Sequence, residues 1–282
     1  MKNTVASVIR KYSGRGLCYV ILIGFLLISI LPVYWMVQAS IAPPAELRGD
    51  PFRIPTTLTL DNLIRAWTIG RMSTYMWNSI YVSVLRVAGV LFFASLAGYG
   101  FGKLSFWGRD KLFKFMLFGM MIPLQAVLIP TFFNLSRMGL INNRLGIVIP
   151  YLGLSMPFAI FMMRAFFRTL PSEFMDSAKI DGCNEFSTFW HIMLPLIKPA
   201  CVSLVIFEFM WSWNNYLLPL MVIFDDSMRT LPLGLMFFQG RFAADNTLIA
   251  SAVTICIVPI IVVYIILQRK FVDGLTSGAL KG

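Results

Sequence analysis

Six long apolar runs separated by short charged segments organise the 282 residues of this chain. Cutting the sequence at its charges isolates them. Residues 17–38, 115–136, 145–163 and 247–268 carry no charge, 75–101 carry only Arg86, and 200–224 carry only Glu208. A hydrocarbon layer about 30 Å thick, crossed at about 1.5 Å per residue, requires about 20 predominantly apolar residues. Each run is about that long. Lipid offers no partner to backbone N–H and C=O groups, and the runs are solidly apolar rather than alternating. That pattern predicts helices, not barrel strands. Pro32, Pro123, Pro130, Pro150, Pro157, Pro219 and Pro259 fall inside the runs. They predict kinks whose freed carbonyls are satisfied by neighbouring helices. The expected fold class is all-α integral membrane, with six transmembrane helices.

The pattern also divides the chain. Residues 1–72 hold an N-terminal tail, the first span and a long loop rich in Pro and Thr. Residues 73–268 form a core of five spans with a large loop at 164–198, and residues 269–282 are a C-terminal tail. Lys2, Arg10, Lys11 and Arg15 flank the first run as they would a signal peptide. That run is longer than a signal core and no small-residue cleavage site follows, so it reads as a retained span. The segment Asp61 to Trp67 predicts a short interfacial helix with Trp67 at headgroup depth.

Composition agrees with this pattern. The chain is 58% apolar and 13% charged, against about 45–50% and about 25% in ordinary soluble domains. Disorder is excluded by the amount of apolar surface, and four widely spaced cysteines make no disulfide framework. The net charge of +11 raises the question of nucleic acid, which needs a solvated basic face; here the cations sit between apolar runs. With the N-terminus inside, the inner segments hold fifteen basic residues and the outer ones eight, and all nine lysines lie inside. This is the positive-inside bias, and it places both termini in the cytoplasm.

Catalytic chemistry is missing. Gly98, Gly100, Gly102 and Lys103 lack the spacing of a phosphate-cradling loop, and Leu104 stands where Ser or Thr is needed. Ala94, Ser95, Ala97, Gly98 and Gly100 instead suit close helix contact. His191 is the sole histidine, and Cys18, Cys183, Cys201 and Cys256 read as small apolar residues, so no metal set forms. Active solute movement would need energy from another subunit.

The loop at 164–198 is the most informative stretch. Leu170-Pro171 ends the preceding helix. Ser172 is placed to cap a short helix with Glu173 and Asp176 near its positive end. Gly182 terminates it, and a second helical stretch runs from Asn184 to Met193, ending at Leu194-Pro195. On composition alone this is an amphipathic pair resting on the membrane surface. The spacing says more. Asp176-Ser177-Ala178, three residues, Gly182, nine residues, Ile192, one residue and Leu194-Pro195 resembles the loop pattern of binding-protein-dependent ABC importer permeases, Glu-Ala-Ala…Gly…Ile-x-Leu-Pro. Asp replaces Glu and Ser replaces the first Ala, so the acid and the small size are kept.

The resemblance extends to the maltose-type carbohydrate branch of that family. Thr230-Leu231-Pro232-Leu233-Gly234-Leu235, Trp213-Asn214-Asn215-Tyr216 with Pro219-Leu220, and the ending Phe271 to Gly282 are similar to its members. It implies an importer-permease fold in the bacterial inner membrane and a sugar or sugar derivative as cargo, polyols, oligosaccharides and glycerol-phosphate included. It also implies a second permease in a heterodimer, two ATP-binding subunits carrying ATP and Mg, and an extracytoplasmic solute-binding protein. This chain itself then binds no cofactor and catalyses nothing. Glu173, Asp176, Ser177, Ala178, Gly182, Ile192, Leu194 and Pro195 become the residues coupling it to the ATPase.

The fifth run contains a polar stretch, Glu208 to Tyr216. A charge at mid-bilayer costs about 2.5–3.5 kcal/mol on insertion scales, so Glu208 should face protein or a water-filled path. Arg86 has the same need, and pairing the two meets both. Trp211, Asn214, Asn215 and Tyr216 offer aromatic faces and amides suited to sugars, with Trp211, Asn214 and Asn215 on one helical face. With Arg86 and Glu208 they are the candidate translocation path. A self-sufficient secondary carrier or channel is the rival reading; it predicts embedded ion-coupling charges and no ATPase. A membrane enzyme is a third, disfavoured by the lack of a catalytic cluster.

Overall fold

The computed structural model describes residues 2–47, 50, 53–242 and 245–279, with the side chains of 16 and 18–268 among them. Leu280, Lys281 and Gly282, the last residues of the tail resemblance, lie outside the described residues. Among the described residues the structure is helical, without strands. In chain order come α1 (Lys2–Ile41), α2 (Asp61–Ile69) and α3 (Met72–Lys103). Then follow α4 (Arg109–Leu117), α5 (Leu124–Arg137), α6 (Leu145–Thr169) and α7 (Glu173–Ile180). The remainder is α8 (Glu185–Thr188), α9 (Leu194–Leu196), α10 (Lys198–Asn214), α11 (Leu217–Val222), α12 (Leu231–Arg241) and α13 (Asn246–Ala279). The short helix expected from Asp61 is α2.

Four of these helices are long and apolar enough to cross a membrane alone, and six crossings result if each of two bent pairs counts as one. The bend at Pro123 is sharper than a kink within one helix, and the break at Asn215 is not directly followed by a proline. The third run does not form one helix over 115–136. After α4 a 3₁₀ turn covers Phe118–Met121, and α5 departs at 97°. Ile122 is extended (φ −85°, ψ 114°) because the ring of Pro123 excludes the helical region for the residue before it.

The fifth run is likewise not one helix over 200–224. α10 stops at Asn214, Asn215 is extended (φ −82°, ψ 128°), and the chain turns helical again at Leu217. The Asn215 Oδ1 accepts the Leu217 N–H at 3.2 Å, a local side-chain bond that competes with the helix ladder. At its other end α10 meets the segment Glu185–Leu196 at 77°. Pro130, Pro150, Pro157 and Pro259 sit inside continuous helices.

Contacts divide the chain into two units, each with its own packing. One comprises residues 1–70 with 238–255. In it the buried Asn62 donates to the Ala42 carbonyl at 2.7 Å, and the Ser251 hydroxyl bonds the carbonyls of Thr247 and Ser40 at 2.8 and 3.2 Å. Arg65 pairs with Asp245 at 3.6 Å.

The second unit comprises residues 71–237 with 256–282. Its spine is α3 against α6, with α10 alongside. The close approach depends on Gly98, where a Cβ would lie 2.5 Å from that of Met163. Small residues permit such contact without any apolar driving force from lipid. Gly100, from the same stripe, faces open space. One core of this unit gathers Val90, Ala94, Tyr99, Met163, Phe167, Phe189, Met193 and Leu204; another gathers Val82, Ile147, Tyr151, Leu218 and Val222.

Candidate functional site

Two regions of the second unit carry the residues singled out in the sequence. The first is the helix–Gly–helix element. Glu173 and Asp176 stand in the first turn of α7, where carboxylates favour the positive end of the helix dipole. Ser172 does not cap it through its side chain: it is itself helical (φ −71°, ψ −23°), and its carbonyl accepts the N–H groups of Met175 and Asp176 at 2.8 and 3.2 Å.

The far end of α7 is closed by a Schellman motif. The Cys183 N–H reaches the Ala178 carbonyl at 2.9 Å and the Gly182 N–H reaches that of Lys179 at 3.1 Å. This geometry needs Gly182 in the left-handed region, at φ +78°. Asn184 then caps α8, its Oδ1 accepting the Ser187 N–H at 2.8 Å.

Beyond α8 the helix widens into a π turn over Phe189–Met193, with the Leu194 N–H bonded to the Phe189 carbonyl. The helix therefore runs through Pro195 to Leu196 instead of ending at Leu194-Pro195. In a regular α-helix the Pro195 ring would clash with the carbonyl four residues back, and the wider turn relieves this clash.

The residues expected to couple the chain to an ATPase sort by face. Ala178 is 1% exposed and Met175 is buried beside it, while Glu173, Asp176, Ser177, Gly182 and Pro195 face outward and Ile192 and Leu194 are half-buried. Ala178 thus holds α7 close to its own chain. Phe174, Phe186 and above all Ile180, 87% exposed, are apolar groups presented outward on the same element. Glu185, not singled out beforehand, ties the element to α3: the Tyr99 hydroxyl donates to its Oε2 at 2.9 Å, and Lys179 pairs with its Oε1 at 3.8 Å.

The second region is a cavity of about 740 Å³ in the second unit. Arg86 of α3, Tyr151 and Ser155 of α6, Trp211 and Asn214 of α10 and Asn215 beyond it reach its wall. Glu208 lies behind, 1% exposed, with its Oε2 accepting from the Arg86 Nη2 and from the Ser155 hydroxyl, both at 2.9 Å. The Arg86 guanidinium also sits 4.7 Å above the Tyr151 ring. Trp211, half exposed, packs on Phe158 with ring centroids 5.4 Å apart.

Asn215 has left the helix yet lines the same cavity, so the face expected from helical spacing is completed by a turn. Tyr216 is exposed and does not line it. Ser155 and Tyr151 escaped sequence reasoning. Both lie within an uncharged apolar run, and only the packing of α6 on α3 brings them to Arg86.

Comparison with known proteins settles the family. Residues 90–276 match the family described as binding-protein-dependent transport system inner membrane component. The chain belongs to this family. It is therefore a multi-pass inner-membrane permease of the ABC importer class, and its relatives are carbohydrate permeases. It is 35% identical over 97% of its length to the whole arabinooligosaccharides transport system permease protein AraQ of Halalkalibacterium halodurans. It is 28% identical over its whole length to 93% of the diacetylchitobiose uptake system permease protein NgcG of Streptomyces coelicolor.

The permease fold extends over most of the chain. A crystal structure of a bacterial ABC transporter involved in import of the acidic polysaccharide alginate aligns over 91% of this permease and 96% of that chain, with a TM-score of 0.80 at 26% identity.

Proposed function

We propose that this permease carries a sugar or sugar derivative as one half of the translocation path of an ATP-driven importer, coupled to its ATPase through residues 172–195. Its partners are a second permease, two ATP-binding subunits that hold ATP and Mg, and an extracytoplasmic solute-binding protein, with both of its own termini in the cytoplasm. The observation that carries this reading is the α7 element. It is short, closed by a Schellman motif, packed on its own chain through Met175 and Ala178, and outwardly apolar at Phe174, Ile180 and Phe186. A rigid element with an unpartnered apolar and acidic surface suits a docking contact that passes a rigid-body motion of an ATPase to the spans. Tyr99 and Glu185 supply a direct tie to α3. Cargo passes the cavity bounded by Arg86, Trp211, Asn214 and Asn215, with Glu208 behind its wall, and Tyr216 lies beside that route.

Gly182→Val tests the coupling. Space is open around Gly182, so the substitution acts through backbone conformation, at about 1–2 kcal/mol for a left-handed residue bearing a Cβ. ATP-driven uptake of labelled oligosaccharide into vesicles should be lost while the amount of permease in the membrane is retained. Normal uptake, or an ATPase that still co-purifies when residues 176–182 are scrambled, sinks the reading.

A further inference from the structure

The Arg86–Glu208 pair is unusual in what it leaves unmade. Arg86 is 3% exposed and Glu208 1%, and Ser155 and Glu208 occupy only the Nη2 of the guanidinium. Among the described residues the Arg86 Nε and Nη1 donate to no protein group, and the Glu208 Oε1 accepts from none. Buried polar groups are nearly always paired, and unpaired atoms on charged groups are the most costly. Here spare donors on Arg86, which lines the cavity, and a spare acceptor on Glu208, just behind its wall, sit within one ion pair.

We infer that Arg86 and Glu208, with Ser155, form a clamp for the hydroxyl groups of an uncharged carbohydrate; the inference rests on reading this cavity as the cargo path. A hydroxyl both donates and accepts. Two neighbouring hydroxyls match a guanidinium edge beside a carboxylate oxygen, one accepting from Arg86 and the other donating to Glu208. Aromatic Trp211 and Phe158 on the same wall offer faces to the C–H surface of a sugar ring. A carboxylate or phosphate cargo is served less well, because it would accept from Arg86 but meet the like charge of Glu208. The compensated pair therefore selects neutral cargo. The spare atoms are covered in this conformation, so the clamp engages as side chains at the wall shift to admit cargo.

A structural pair and a cargo clamp respond differently to apolar replacement. Replacing both members of a buried ion pair with apolar residues of similar volume is commonly tolerated by a fold. The experiment reconstitutes the complete importer with Arg86→Met/Glu208→Leu in proteoliposomes. It measures basal ATP hydrolysis and uptake of labelled arabinotriose, maltotriose and diacetylchitobiose. Uptake should fall at least ten-fold with basal hydrolysis within two-fold of wild type; uptake within two-fold of wild type overturns the clamp.

If the double variant does not assemble, Glu208→Gln is assayed with trigalacturonate as competitor. Inhibition should set in at a concentration at least ten-fold lower than for wild type, and equal inhibition overturns the selection of neutral cargo. Trp211→Ala and Asn215→Ala separate the two levels. Unaltered uptake in both removes the cavity as the path. Reduced uptake in them beside a normal double variant removes only the clamp.

Discussion

Two of the arginine–carboxylate centres in the second unit are alike in chemistry and opposite in surroundings. Asp226 is about one-third exposed and accepts from Arg71 and Arg229, both at 2.6 Å, and from the Tyr75 hydroxyl at 2.7 Å. Both of its oxygens are engaged. Asn78 completes the fastening by donating to the carbonyls of Ser227 and Arg229, each at 2.9 Å. The cluster pins the segment before α12 to the start of α3. Partial burial pushes the Asp226 carboxyl upward, but the Tyr75 and Arg71 hydrogen bonds and the charges of Arg229 and Arg71 hold it below the usual carboxylate range. Glu208, by contrast, is sealed among three helices with one oxygen unused. A saturated, half-exposed cluster is a fastener. An unsaturated, buried one is poorly explained by stability alone, since a buried pair seldom outperforms well-packed apolar residues.

The largest effect should come from breaking the buried centre on one side only. Glu208→Leu strands the Arg86 guanidinium and should cost about 3–5 kcal/mol, read as a sharp loss of extractable complex and the lowest apparent Tm of any variant here. If the single variant is as stable as the apolar double variant, the two centres differ less than their burial implies. Asp226→Asn should cost roughly 1 kcal/mol, because pairs of this exposure are screened by water; a loss as large as that of Glu208→Leu would erase the comparison.

Smaller still is the pH term. The folded Asp226 titrates below its unfolded value, so its contribution is complete above the unfolded value of about 3.9 and is lost as pH falls through the folded one. The Tm advantage of wild type over Asp226→Asn should be level between about pH 5 and 7 and shrink below about 4. Salt near 1 M, where the Debye length is about 3 Å, should trim the same advantage and leave Glu208→Leu unaffected. An advantage that persists at low pH would mean that Asp226 fastens by shape and not by charge.

Sequence reasoning reached the two regions unequally. The loop at 164–198 was legible because its signals are local: a proline stop, acids in a first turn, a glycine terminator and a fixed spacing within one segment. Even there the outward and inward faces needed the structure, which buries Ala178 and exposes Ile180. The spans were legible as apolar lengths and Pro123 signalled a kink, but hydropathy carries no direction, so the 97° angle there and the break at Asn215 needed the structure. The pairing of Arg86 with Glu208 followed from cost alone: two isolated charges in apolar runs need each other. Ser155 had no such signal, since a lone hydroxyl in an apolar helix serves any neighbour or its own backbone.

The π turn at Phe189–Met193 gives the spacing of the loop a mechanical meaning. A π turn is a helix that holds one residue more than the regular winding accommodates. The nine residues between Gly182 and Ile192 include part of that surplus. Deleting one of them would restore regular winding there and leave the residues after it close to their present phase. Pro195 would then meet the carbonyl it now avoids. The gap in the motif thus leaves room for the surplus residue that lets the helix run on through Pro195.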